Sequence, residues 1–357
     1  MRWLAYEAVI TQVTGDQETQ TAEGTQTLQT IEVEITSGDR AGKTLTIQSN
    51  TIGDPNAPKF QTGDGVLIEI ATGPDGQEQA TIIEFIRSTP LYVLFFIFVA
   101  VTLLIARRRG LASLAGMAIS FLITFQFVIP RILSGADPLL IAILAAAVII
   151  PITFYLSHGL NRKTSAAIVG TLVSLVTTGI LAVLFIQAAK LSGYGAEEAT
   201  SLQQASADTL NIKGLLLAGI VIGLLGIFDD ITVSQAAIVY QLKQASPAIT
   251  FRELYARAMD IGRDHIASLV NTLVLVYAGA ALPRLLLFTS GAVPFDQVIN
   301  YEAVAEEIVR TLVASIGLIL AVPITTLLTA FFVSGAPRPV RVSYPPPPPM
   351  PAGWRKS

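Results

Sequence analysis

The chain has 357 residues, of which 52% are hydrophobic and 14% charged, with a formal net charge of −3. A soluble domain carries roughly a quarter charged residues, and several apolar runs here exceed the ~18 residues needed to cross a bilayer, so the composition is that of a polytopic membrane protein. The small negative charge argues against nucleic acid as a partner, the lack of cysteine removes disulfides, thiolate nucleophiles and Cys-type zinc sites, and two histidines, His158 and His265, are too few for a multi-histidine metal centre.

Residues 1–88 differ from all that follows. "TLQTIEVEITSG" places Ile31, Val33 and Ile35 on one face and Glu32 and Glu34 on the other, the period-2 pattern of a half-buried strand. "GKTLTIQ", "GDGVLIEI" and "EQATIIEFI" read the same way, and "GPDGQ" at 73–77 supplies a hairpin turn between the last two. With the opening "YEAVITQV" this makes about five short strands, which suit a small β-barrel of OB or SH3 type.

From Pro90 onward seven apolar spans are predicted, at about 90–106, 111–130, 138–157, 165–189, 214–240, 265–288 and 308–333. Lys and Arg in the connections set the orientation. Arg107–Arg109, Arg162, Lys163, Lys243, Arg252, Arg257, Arg263, Arg338, Arg341, Arg355 and Lys356 fall on one side, against Arg131, Lys190, Lys213, Arg284 and Arg310 on the other. That excess puts the first group in the cytoplasm and the β-rich domain outside, in a bacterial plasma membrane. An exported N-terminal domain calls for a preceding leader, and "MRWLAYEAV" lacks an adequate apolar core, so a full-length form is expected to carry an eighth span. The domain expectation is therefore an extracytoplasmic OB/SH3-like domain at 1–88, a transmembrane helical domain at 89–336 and a Pro-rich cytoplasmic tail at 337–357.

Between spans five and six, "SPAITFRELYARAMDIGRDH" offers Thr250 as an N-cap with Glu253 three residues on, the spacing of a capping box. Phe251, Leu254, Tyr255, Ala258 and Ile261 then form an apolar stripe opposite Arg252, Glu253 and Arg257, the pattern of an amphipathic interfacial connector. The tail "YPPPPPMPAGW" reads as polyproline II. A passive disordered tail explains it more simply than an SH3-type ligand does.

The residues hardest to explain as bulk structure are Asp229 and Asp230. They interrupt an uncharged run from Gly214 to Phe228 and are followed by further apolar sequence. One carboxylate at a helix centre costs about 2.5–3.5 kcal/mol on insertion scales. Neighbours on a helix diverge by about 100°, so each needs its own partner or a wet cavity. Either at least one of them loads and releases a proton or cation, or both are fixed by interhelical hydrogen bonds. The first reading is favoured because Asn or Ser would set packing at lower cost. An intramembrane aspartyl protease needs two converging carboxylates, which adjacent residues of one helix do not supply.

Span six provides candidate partners. Asp264, Ser268, Asn271 and Thr272 form a polar stripe, and Asn271 and Thr272 are expected at a depth similar to that of the aspartates. Arg263, Asp264 and His265 stand at the cytoplasmic mouth, where a positive-inside anchor, a helix cap and a solvated histidine are the plainer readings. Close helix packing is predicted at Gly219, Gly223 and Gly226 of span five and at Gly170, Ser174, Thr177 and Thr178 of span four. Pro151 and Pro323 are expected to kink spans three and seven.

"GIFDDITVSQAAIVYQL" followed by "IGRDHIASLVNTLVLVYAGAALP" resembles the signature of the YibE/F family of bacterial membrane proteins. "SHGLNRKTSAAIVGT" and "AEEIVRTLVASIGLILAVPITTLL" are similar to it as well, so that the resemblance covers most of 88–333. It implies a membrane-embedded helical domain behind an N-terminal β-domain and little about activity. A looser, local likeness joins the Asp pair and Asn271–Thr272 to SecF-type subunits of the proton-driven RND superfamily. That likeness implies a proton site at Asp229 or Asp230 with Arg263, Asn271 and Thr272 nearby. The expected function is a proton- or cation-coupled transporter, or an export-coupling component. The alternative is a non-transporting scaffold whose β-domain binds an envelope protein partner. No enzymatic activity, cofactor or metal is expected; partners would be the lipid bilayer, a proton or cation and a second copy in a homo-oligomer.

Overall fold

The structure, a computed structural model, describes residues 5–21, 24–52, 59–72, 78–206, 210–291 and 294–334. The hairpin turn expected at 73–77 and the Pro-rich tail at 337–357 lie outside these residues. The chain forms two compact units, Met1–Leu104 and Ile105–Ser357. Strand gives way to helix at 86–88, but the division between the compact units falls inside the first apolar helix.

The first unit holds one antiparallel five-stranded sheet. Its strands are β1 (Ala5–Thr21), β2 (Gly24–Ile35), β3 (Thr44–Ile52), β4 (Gly65–Thr72) and β5 (Glu78–Phe85), in the order β3-β2-β1-β4-β5. Alternation decides which face is buried. Tyr6, Ala8 and Ile10 of β1, Ile31, Val33 and Ile35 of β2, Ile47 of β3, and Val66 and Ile68 of β4 form the core, while Glu7 and Glu34 between them are exposed. Burying one face fixes the register, since a one-residue slip would turn the whole apolar set to solvent. Register shifts between Ile10 and Gln12 and between Thr14 and Asp16 mark bulges in β1, and bulges bend and twist a strand. The edge strands β3 and β5 approach each other without pairing, and Phe60 stacks on Phe85 with ring centroids 4.7 Å apart. The result is a half-barrel, open along one seam.

The remainder is helical: α1 (Ser88–Ile123), a π-helical segment (Thr124–Val128), α2 (Ile129–Leu133), α3 (Pro138–His158), α4 (Arg162–Ala188), α5 (Glu197–Ala205), α6 (Ile212–Ala245), α7 (Phe251–Ala280), α8 (Leu282–Ser290), α9 (Phe295–Val298) and α10 (Glu302–Ser334). Five runs among the described residues are long and apolar enough to cross a membrane: Ser88–Leu133, α3, α4, α6 and α10. The sequence count of seven differs at two places. The first two predicted spans fall in one run of 46 residues, whose helix breaks at Arg107 with φ 51° and ψ −125°. The sixth falls on α7 and α8, where the Arg263–His265 cluster and the helix end at Ala280 leave too short a continuous apolar stretch to qualify.

The bundle core joins α3, α4, α6 and α10, with Phe154, Phe228, Leu224 and Ile186 among its fully buried side chains. Outward apolar side chains such as Phe331, 71% exposed, and Leu312 suit a lipid environment. α3 and α6 start side by side. Asp137 caps α3 by accepting from the Leu140 amide at 2.9 Å, and Asn211 caps α6 by accepting from Gly214 at 2.9 Å. The Asn211 side-chain amide then donates to Asp137 at 3.4 Å. At the same level of α10, the Glu302 carboxylate accepts from the Ser192 hydroxyl at 2.6 Å and the Gly193 amide at 3.1 Å, while Glu306 accepts from the Gly195 amide at 3.0 Å. α3 and α10 continue through Pro151 and Pro323.

Small residues bring α4 and α10 together. A Cβ on Gly170 would lie 2.6 Å from Thr325 Oγ1, and one on Gly317 would collide with Thr178. The close packing predicted for α4 is therefore present at Gly170, Ser174 and Thr178, all buried. The packing predicted for α6 is not. Gly219, Gly223 and Gly226 are exposed and have nothing within 4 Å of where a Cβ would stand. Their spacing places them on one side of the helix, but no neighbour packs closely against that side. Gly219→Ala and Gly223→Ala are accordingly expected to leave the melting midpoint in detergent unchanged or to raise it, because alanine is preferred over glycine within a helix by about 1 kcal/mol. A fall of several degrees would show that another surface packs there.

Candidate intramembrane carboxylate site

Helix α6 is buried along most of its circumference, with Leu216, Ile220, Leu224, Phe228 and Ile231 turned inward. Between Gly214 and Val239 its exposed residues are Gly219, Gly223, Gly226 and Asp230, and Asp229 beside them is half-buried. The two carboxylates therefore diverge as helical geometry requires: Asp230 ends the glycine-lined outer strip, and Asp229 points toward α3 and the second half of α1.

Between these three helices lies a cavity of about 480 Å³ with Asp229 and Gly226 in its wall. Ser120 and Thr124, from α1 and the π-helical segment, and Thr153 of α3 line it together with Met117, Phe121, Phe125 and Phe154. The three hydroxyls donate to carbonyls of their own helices: Ser120 to Gly116 at 3.0 Å, Thr124 to Ser120 at 2.9 Å and Thr153 to Ile149 at 2.9 Å. Their hydrogens are thereby engaged and their lone pairs remain as acceptors. Asp229 Oδ1 is buried and finds no hydrogen-bond partner among the described residues. A π-helical turn within an α-helical run is a feature frequently found at functional sites; here it forms part of the cavity wall.

A smaller space of about 210 Å³ adjoins both carboxylates and is lined by His158, Gly226, Asp229, Asp230, Val233 and Ser234. His158 is the last residue of α3, with Arg109 and Lys163 close enough to act on it electrostatically. In the sequence His158 enters only the histidine count and is assigned no place beside the aspartates. Its position 71 residues before Asp229 gives no sign that the parallel run of α3 and α6 brings them together. Among the described residues no group of three or more His, Asp or Glu is arranged to hold a metal ion.

The other predicted partners lie elsewhere. Asp264, Ser268, Asn271 and Thr272 are all exposed on the outward side of α7, whose buried line runs through Leu254, Ala258, Gly262 and Leu273. Thr272 donates to the Ser268 carbonyl of its own helix at 3.1 Å, and neither Asn271 nor Thr272 contributes to the spaces around Asp229 and Asp230. Arg263 pairs with Asp260 at 2.5 Å, with both side chains exposed, and His265 is half-buried. The capping prediction for this helix is matched by the Glu253 amide, which donates to Thr250 Oγ1 at 3.3 Å. The expected apolar stripe is centred differently, since Leu254 and Ala258 are buried and Ile261 is 46% exposed.

What joins α6 to α7 and α10 is Gln235, 1% exposed. Its side-chain amide donates to the Ala258 carbonyl at 3.0 Å and to Thr326 Oγ1 at 2.7 Å. One turn earlier, the Thr232 and Thr171 hydroxyls lie 2.7 Å apart and tie α6 to α4. These are interhelical polar locks, and neither aspartate belongs to them.

No curated protein and no solved structure matches the chain. The family model described as YibE/F-like protein matches residues 94–335, well over half of the sequence and inclusive of α3, α4, α6, α7 and α10. A set of apolar helices built around an Asp-Asp pair, with the polar locks and capped connector just described, is thus that of a membrane protein belonging to the YibE/F family.

Proposed function

We propose that this protein is a proton- or cation-coupled transporter, or the energy-coupling component of an export system, and that it is not an enzyme. Asp229 is the group that loads and releases the ion, with Asp230 and His158 exchanging it with the aqueous side. The observation that supports this reading is the buried Asp229 oxygen left without a protein partner at the wall of a cavity. A carboxylate retained only for packing would be hydrogen-bonded across helices, as the Gln235 side-chain nitrogen is, because an unpaired buried polar group costs about 1–3 kcal/mol. In this reading the helices cross a bacterial plasma membrane seven times, α1 counting as two crossings divided at Arg107 and α7 with α8 as the sixth. The arginine-rich end and the C-terminal tail are cytoplasmic and the half-barrel lies outside.

The test is ion flux into liposomes under imposed proton and sodium gradients, comparing wild type with Asp229→Asn and Asp230→Asn at matched folding. Asp229→Asn is expected to abolish flux with little change in melting midpoint, and Asp230→Asn to slow it. An Asp229→Asn protein that melts early and conducts in proportion to its folded fraction would make the carboxylate a packing residue. The scaffold reading has the unpaired edges of β3 and β5 in its favour, since exposed strand edges accept extended segments of partners. Absence of flux from well-folded wild type would count against autonomous transport and leave either a coupling component that needs its partners or the scaffold.

A further inference from the structure

We infer that the cavity between α1, α3 and α6 is a binding site for a hydrophobic organic cation, a protonated amine with an aromatic or branched apolar body, whose charge is met by Asp229. The inference rests on the coupling role proposed for Asp229 and adds the class of ligand. Three observations carry it. First, at about 480 Å³ the space is within the range of small-molecule sites. Second, Phe121, Phe125, Phe154 and Met117 give it the apolar and aromatic wall that such a body needs, and aromatic faces also attract cations. Third, Asp229 is the one charged residue among the lining residues, and the hydroxyls of Ser113, Ser120, Thr124, Thr153 and Ser157 complete its polar part. Ser120, Thr124 and Thr153 direct their hydrogens to backbone carbonyls, and Asp229 Oδ1 is unpartnered among the described residues.

A wall whose one charge is a carboxylate selects by charge. An anion would meet the repulsion of Asp229 with no cation in the wall to offset it, and a neutral apolar molecule or a lipid chain would leave the carboxylate desolvated and unpaired. An ammonium group brings the positive charge that the wall lacks, with N–H donors for the carboxylate and for the lone pairs of Ser120, Thr124 and Thr153. Proton and ligand then exclude each other at one oxygen pair: the cation occupies the site when Asp229 is ionised, and protonation of the carboxylate releases it. One proton exchanged for one monovalent cation follows from that competition.

The experiment is calorimetric titration of the full chain in detergent with dibenzylamine, protonated at neutral pH, and with dibenzyl ether as its uncharged counterpart. Wild type is expected to bind the amine saturably, at least tenfold tighter than the ether. Asp229→Asn should lose at least tenfold in affinity for the amine and lose the preference over the ether. Gly226→Leu keeps the carboxylate and directs a side chain into open space at the cavity wall, so it should fold normally and bind neither compound. Phe331→Ala, an exposed position on α10, should bind as wild type. Equal affinity for amine and ether, or amine binding unaffected by both Asp229→Asn and Gly226→Leu, overturns the inference. So does a wild type that passes protons in an Asp229-dependent manner and binds no amine, a result that leaves the coupling role itself standing.

Discussion

A Gly317→Ala variant is expected to melt well below wild type in detergent, by the equivalent of about 1–3 kcal/mol, the usual range for overpacking a core. A single methyl suffices because the Cβ would be placed against Oγ1, Cγ2 and Cβ of Thr178, all at once. Thr178 has no room to yield. It is 1% exposed, it is β-branched and so restricted at χ1, and its hydroxyl donates to the Ser174 carbonyl at 2.7 Å. The strain therefore passes to the α4–α10 spacing, which the neighbouring pair Gly170 and Thr325 holds in the same manner. Thr178→Ala on the Gly317→Ala background should recover much of the loss, giving a favourable coupling in a double-mutant cycle. An unchanged midpoint in the single variant would mean that α4 and α10 are further apart than described.

The second large effect is expected in the half-barrel. Val33 is fully buried, paired with Ile10 on one side and Leu45 on the other. Val33→Asp would place a carboxylate among apolar side chains with no cation beside it, at an effective cost of several kcal/mol. Small domains are stable by only about 5–15 kcal/mol in total, and an open half-barrel has a small core. We expect the full-length variant to become sensitive to protease within residues 5–85 while the helical region stays resistant. Glu34→Lys, one position along and exposed, should change nothing beyond about 0.5 kcal/mol. Equal protease sensitivity of the two variants would refute the assigned faces.

The contrast between positions 33 and 34 also shows what could be read from sequence. Period-2 alternation reports the buried face of a strand directly, so Ile31, Val33 and Ile35 were legible without coordinates. Capping is equally local, and Thr250 with Glu253 marked a helix start that the structure contains. The exposed placement of Gly219, Gly223 and Gly226 was not legible, because helical spacing tells which residues share a side and nothing of what that side meets. Of the glycines that do mediate close approach between helices, Gly170 belonged to the strip expected on α4, whereas Gly317 and Gly262 stand singly and form no motif. The pairing expected of Asn271 and Thr272 with the aspartates assumed that consecutive helices present their polar stripes to each other. In the structure α7 turns its Gly262 side toward Gln235 and Val322, which sends the polar stripe outward. Gln235 itself was overlooked because a neutral amide in an apolar helix costs little in composition, although it joins three helices. The Asp pair was visible in sequence, whereas its cavity depends on the parallel placement of α3 and α6, which no local pattern encodes.

That parallel placement has a mechanical consequence. The N-termini of α3 and α6 are joined through the Asn211–Asp137 contact and each side chain's own cap, so any relative tilt of the two helices has its fulcrum at that end. Asp229 lies eighteen residues beyond Asn211, a lever arm of about 27 Å at 1.5 Å per residue. A rocking of about 5° that hardly disturbs the caps displaces the far ends by about 2 Å, enough to widen or shut a passage beside the carboxylate. In such a rocking the two capping side chains set the pivot, and loosening Asn211 would be felt mainly at the opposite end of the pair.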